Sequence, residues 1–168
     1  SGTLTVAATL TSPVTLSGSG NMTINVGGQV VGNVGHGSTG TTNNNGTITG
    51  TLSVSSGTVN NAGVVTGTTT VTGGTLNLDA GTNLSDANTL TVNGGTVNVN
   101  ASDTVGALAG TGGTVDIDAG QALTIGGATS TSYGGVISGA GGLTQAGTGT
   151  LTLTAVNTIT GPVNVKSG

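Results

Sequence analysis

GGTVNVNAS, residues 94–102, is the stretch whose reading decides the fold. Val97 and Val99 fall on one side of it, and Thr96, Asn98 and Asn100 on the other. That is the period of two expected of a strand with one buried and one wet face. The paired glycines in front supply a turn. The phrase recurs in the same polarity: GGTLNLDAG starts at Gly73 and GGTVDIDAG at Gly112, so the second glycine falls at 74, 95 and 113, in steps of 21 and 18 residues. A second phrase interleaves with the first, as TLTV at Thr3, TLSV at Thr51, TLTV at Thr89, ALTI at Ala122 and TLTL at Thr150. Repeats of about 20 residues are the signature of a solenoid.

The composition agrees. The 168 residues include 35 Gly, one Lys, no Arg, five Asp, one Tyr, no Phe, no Trp and no Cys. Charged residues make up 4 %, against roughly 25 % in ordinary domains. Disorder is excluded, because it combines low hydrophobicity with high net charge, whereas this chain is 33 % apolar with a net charge of −4. Thr and Val, branched at Cβ, suit a pleated surface. No segment of helical length shows helical spacing. Short strands between glycine turns are also compatible with a sandwich or barrel. Three features favour a coil of parallel strands instead: repetition in one polarity, small aliphatic core residues, and no regular two-residue hairpin turns. The expected fold is all-β, a single-stranded parallel β-helix (β-solenoid) of about eight rungs forming one domain over residues 1–168. Residues 32–50 carry few apolar groups before Ile48 and read as a protruding loop or a degraded rung. Pro13 and Pro162 belong at turns or strand starts, since proline cannot donate to a ladder.

Several partners are excluded by charge. Nucleic acid and anionic membranes need basic patches, and Lys166 is the only basic residue besides the chain terminus. No apolar run approaches a membrane span. No signal peptide is visible, so the sequence reads as a mature or excised piece.

Residues 134–168 resemble the autotransporter-associated β-strand repeat of passenger domains in Gram-negative autotransporters. The matching residues are Gly135-Val136-Ile137-Ser138-Gly139-Ala140-Gly141-Gly142-Leu143-Thr144, then Gly147-Thr148-Gly149-Thr150-Leu151-Thr152-Leu153-Thr154, Asn157-Thr158 and Thr160-Gly161. Gln145 stands where Lys is common, Ala155 for Gly and Ile159 for an aromatic. The resemblance implies a right-handed β-helix at the Gram-negative cell surface, acting in adhesion, aggregation or biofilm. It also implies an outer-membrane barrel in the parent protein. Self-association, head to tail or lateral, and a host-surface or glycan receptor are the expected partners. Ser1-Gly2 and Ser167-Gly168 flank the first and last strands at similar points of a rung.

Chemistry is sparse. Asp116 and Asp118 lie two apart in VDIDAG and are the best candidates for an acid and base acting on a polysaccharide. The plainer reading is solvated surface carboxylates, because no cation beyond Lys166 is present to stabilise developing charge. Gly112-Gly113-Thr114-Val115-Asp116 lacks the fourth-place glycine of the calcium-binding nonapeptide, and Asp79, Asp86 and Asp103 are scattered. His36, alone in a glycine-rich segment, is expected to be solvated, and Tyr133 to cap or pack a turn. No catalytic residue, metal site or cofactor is expected, and an enzyme is not. Asn21, Asn45, Asn83 and Asn100 begin Asn-x-Ser/Thr triplets, which matter only in a eukaryotic secretory route. Outward threonines, such as Thr150, Thr152 and Thr154 or Thr68 and Thr70, suggest ice binding. That use wants a flat face and constant rungs, and the unequal steps and the 32–50 segment argue against it.

Overall fold

The structure, a computed structural model, describes residues 1–79 and 83–167. The last two residues of GGTLNLDAG, and Gly168, lie outside the described residues. All described regular structure is β, and every described strand pair is parallel. The chain winds into a three-faced β-solenoid of about eight turns.

The first face pairs β1 (Thr3–Val6), β4 (Asn21–Ile24), β7 (Thr41–Asn44), β10 (Thr58–Asn61), β13 (Thr75–Leu78), β15 (Thr96–Val99), β18 (Thr114–Ile117) and β21 (Val136–Gly139) in one unbroken sheet. The second face consists of β2 (Thr9–Leu10), β5 (Gln29–Val30), β8 (Thr47–Ile48) and β11 (Val64–Val65), followed by a separate sheet of β16 (Asp103–Val105), β19 (Ala122–Ile125), β22 (Gly142–Gln145) and β24 (Val163–Val165). The third contains β3 (Val14–Leu16), β6 (Val34–His36), β9 (Leu52–Val54), β12 (Thr69–Val71), β14 (Thr89–Val92) and β17 (Ala107–Ala109), then β20 (Thr131–Tyr133) and β23 (Leu151–Leu153).

Alternation along each strand fills the tube. On the first face Met22, Thr42, Val59, Leu76, Val97, Val115 and Ile137 stack inward in one column, rung upon rung. The three GGT phrases occupy adjacent rungs of that face in exact register, Leu76 on Val97 on Val115. The second phrase marks no single column. TLTV at Thr3 lies on the first face, ALTI on the second, and TLSV, TLTV at Thr89 and TLTL on the third. All three faces require the same alternation, so similar words recur wherever a strand has one side buried.

Glycine makes the corners. Gly40, Gly57, Gly74, Gly95, Gly113 and Gly135 each directly precede a first-face strand. A Cβ on any of them lies closer than 3 Å to an atom of the same corner or the rung below. At the second corner Gly46 sits on Gly28 and Gly63 on Gly46; at the third, Gly50 sits on Gly32, Gly67 on Gly50 and Gly127 on Gly106. Gly74 and Gly95 also have φ of 68° and 69°, a left-handed backbone that L side chains disfavour. Pro13 and Pro162 each directly precede a strand, β3 and β24, as expected.

Residues 32–50 are an ordinary part of the coil, which corrects the loop reading. They supply β6, β7 and β8, paired on both sides. The apolar shortage arises because His36, Thr42 and Asn44 take inward positions, where His36 pairs with Thr42 and Asn44 with Asn61. The unequal steps of the repeat are absorbed outside the first face. Between β13 and β14 the described residues place a bridge from Val65 to Leu84 on the second face, whereas β13 and β15 remain in register.

Two substitutions separate stacking from backbone conformation. Gly95→Ala places a methyl 2.5 Å from the Gly74 carbonyl oxygen at positive φ; it should cost about 3 kcal/mol, a Tm lower by roughly 10 °C. Gly120→Ala has a similar φ, 79°, and open space around it, so it should cost only about 1–2 kcal/mol. Equal losses in thermal melts would refute the stacked corner. Val97→Asp buries a charge between Leu76 and Val115 and should cost several kcal/mol; an unchanged melt would contradict the inward placement.

Candidate functional site

The outer side of the first face is the most regular surface of the molecule. Thr41, Thr58, Thr75, Thr96 and Thr114 form one half-buried column along it. Two residues further along each strand, Asn43, Asn60, Asn77 and Asn98 form a second column, continued by Asp116 and Ser138. The amides are linked. Asn60 Nδ2 donates to Asn43 Oδ1 at 2.8 Å, Asn77 to Asn60 at 2.7 Å and Asn98 to Asn77 at 2.8 Å. The Ser138 hydroxyl donates to Asp116 Oδ1. Parallel strands in register bring equivalent residues opposite each other, so a T-x-N phrase in successive rungs becomes a ladder.

The interior holds further polar groups, among them His36, which was expected to be solvated. His36 is buried on the third face, under Val54, with Nδ1 at 3.0 Å from Thr42 Oγ1 across the corner. Burial pushes its pKa below the ordinary imidazole value, opposed by a hydrogen bond with the Gly40 backbone. Asn44 and Asn61 meet inside the tube, Nδ2 to Oδ1 at 2.6 Å, and Asn44 Oδ1 accepts the Gly46 N–H. Tyr133, expected at a turn, is fully buried, and burial pushes its phenol up to about 12. Gly110 lies opposite it in the rung below, and a Cβ at Gly135 would collide with its hydroxyl, so glycines make its room.

Asp103 is the buried carboxylate. It lies on the inward side of β16, where its Oδ2 accepts the Leu84 N–H at 3.1 Å across the break in the second face. Burial pushes its pKa up to about 6, partly offset by the backbone N–H groups of Leu84, Thr104 and Asn83, and Asp86 adds repulsion. Asp86 and Asp103 line a cavity of about 200 Å³ with Ser102, Thr104, Ala122 and Thr124. Alternation placed Asp103 beside Val105 on the buried side; that signal was present in the sequence, but a lone aspartate reads as surface.

The other sequence candidates are dispersed. Asp116 belongs to the outer column of the first face, and Asp118 is exposed just beyond β18. Neither lines the cavity beside Asp103 or those at the two ends. Asp79 accepts a hydrogen bond from Asn100 at 2.8 Å. Lys166 is exposed beyond β24. Asn21 Oδ1 accepts the Thr41 N–H, and Asn45 is exposed. Among the described residues no three His, Asp or Glu side chains gather as a metal site. Thr150, Thr152 and Thr154 are exposed, but on the third face.

The first and last rungs of the described residues each present an apolar hollow. Leu4, Val14 and Leu16 line a cavity of about 430 Å³ at the first rung, and Leu143, Leu151, Leu153, Val163 and Val165 line one of about 290 Å³ at the last. Comparison with family models, curated proteins and solved structures finds no match for this chain.

Two of the buried titratable groups, Asp103 and His36, act oppositely on stability near neutral pH. The raised Asp103 favours the fold fully below about 4, and that contribution is lost as the pH rises through about 6. The lowered His36 favours the fold above 6.5, and its contribution is lost as the pH falls below that value. Removing Asp103 with Asp103→Asn should therefore make acidification from pH 7.5 to 5 more destabilising, whereas His36→Leu should make it less so. Thermal melts at the two pH values check this; identical slopes in both variants would contradict it.

Proposed function

We propose that the chain is a non-enzymatic structural segment of an extracellular bacterial surface protein. It acts as an extended scaffold that supports adhesion and self-association in the manner of an autotransporter passenger. On this reading the parent protein carries an outer-membrane barrel, and the receptor is a host surface or glycan. The supporting residues are the repeat-like segment 135–161 and a surface nearly free of charge, which offers little like-charge repulsion to a second copy.

What supports end-to-end pairing of the described chain is the apolar surface on its first and last rungs, which a further rung of a longer parent chain or a second copy can cover. Leu4 is 41 % exposed at the first, and Leu153, Val163 and Val165 are 37, 56 and 74 % exposed at the last, while Val97 in the middle is fully buried. The first rung presents one edge of each strand and the last rung the opposite edge, so each end accepts a further rung of the same polarity. That rung can come from the same chain or from a second copy; for the 168-residue chain in solution, a second copy supplies it.

Sedimentation velocity with electron microscopy tests this. Rods lengthening with protein concentration are expected, and Leu4→Lys combined with Val165→Lys should weaken association at least tenfold, through charges placed in the joint. A chain that stays monomeric up to about millimolar concentration would remove the end-to-end reading.

A further inference from the structure

The threonine and asparagine columns of the first face have a property that scaffolding does not use: they form a rigid, nearly uncharged two-dimensional lattice. Unequal repeat lengths argued against such a lattice at the level of sequence. The structure removes the objection, because insertions fall in the other faces and corners while all eight strands of this sheet stay in register.

We propose that the outer side of this sheet binds ice. Three features support it. The first is spacing. Parallel neighbours in a sheet lie about 4.8 Å apart. A water bonded tetrahedrally to two oxygens at about 2.8 Å spans about 4.6 Å between them. That is also the second-neighbour oxygen separation of any tetrahedral water lattice. Adjacent threonines of the column from Thr41 to Thr114 can therefore share one water each at the repeat that ice itself has. Liquid water offers such a pair only transiently; ice offers it along a whole row.

The second feature is rigidity. Threonine is stiff at χ1, and each asparagine from Asn43 to Asn98 is held by its neighbour in the amide ladder. Each internal amide still has one N–H and one oxygen lone pair for water, because the ladder uses one of each. Little side-chain entropy remains to be lost on contact with a fixed lattice. The third feature is chemistry. Each threonine pairs a hydroxyl with a methyl, and Asp116 is the only charge in either column. Charged groups order water around themselves and oppose a neutral lattice. The face also carries no aromatic ring on which a sugar could stack, and this sets ice above a crystalline polysaccharide.

The test uses the whole chain. Thermal hysteresis and partition of fluorescently labelled protein into a growing ice hemisphere are measured for the native chain, for Thr75→Tyr with Thr96→Tyr, and for Thr152→Tyr on the third face. Tyrosine suits an exposed strand, and unchanged melts establish that the variants fold. The expected result is hysteresis and ice enrichment in the native chain and in Thr152→Tyr, with at least a tenfold loss in the double variant. Absence of both signals in the folded native chain overturns the proposal, as does full activity in the double variant. A dimer that forms in the native chain, disappears in the double variant and is accompanied by no hysteresis also overturns it, because the face would then hold a second copy.

Discussion

The fold depends on how closely one rung can lie on the next at its corners. The flat strands keep the ladder spacing readily, but the chain must also turn three times per rung, and each turn must sit on the turn below without pushing it away. Gly46 on Gly28, Gly63 on Gly46, Gly67 on Gly50 and Gly95 on Gly74 show how this is met: backbone rests on backbone, with no space for a Cβ. A methyl at one corner would either open the local ladder or tilt the rung, and every rung above it would inherit the tilt. The large glycine content is therefore a packing requirement repeated down three columns, and the hydrophobic columns follow from it. Only when corners stack closely do Leu76, Val97 and Val115 come into van der Waals contact along the axis.

A tube of this kind has a narrow interior, and that shapes which polar groups it tolerates. His36 with Thr42, and Asn44 with Asn61, enter in adjacent rungs where each finds a partner across a corner or along the column. Asp103 enters where the second face is interrupted and replaces a missing backbone acceptor for Leu84. These groups restrict the order of the rungs in a way that interchangeable valines do not, since a slip by one rung would separate the polar partners.

The outside follows the same arithmetic with the opposite parity. Each strand that buries two residues must expose two, and in the middle rungs of the first face the exposed pair is consistently threonine and asparagine. A one-dimensional repeat becomes a surface lattice because parallel pairing superposes identical positions. Length variation between rungs falls outside the first-face strands, which stay in register from β1 to β21.

Sequence by itself determined the strand alternation, the parallel polarity, the number of rungs, the inward valines of the GGT phrases and the position of the prolines, because all of these are local or repeat locally. It could not place residues whose identity conflicts with their environment. His36, Asn44, Asn61 and Asp103 read as surface by chemistry, and only partners 6 to 19 residues away make their burial affordable. Tyr133 is inside because glycines in neighbouring turns leave a space, which no single strand records. The tertiary structure alone decided which glycine stacks on which, where the unequal repeats are absorbed, and that the threonine and asparagine positions align into columns. Each of these is a relation between rungs, set by the winding of the coil rather than by any one turn of it.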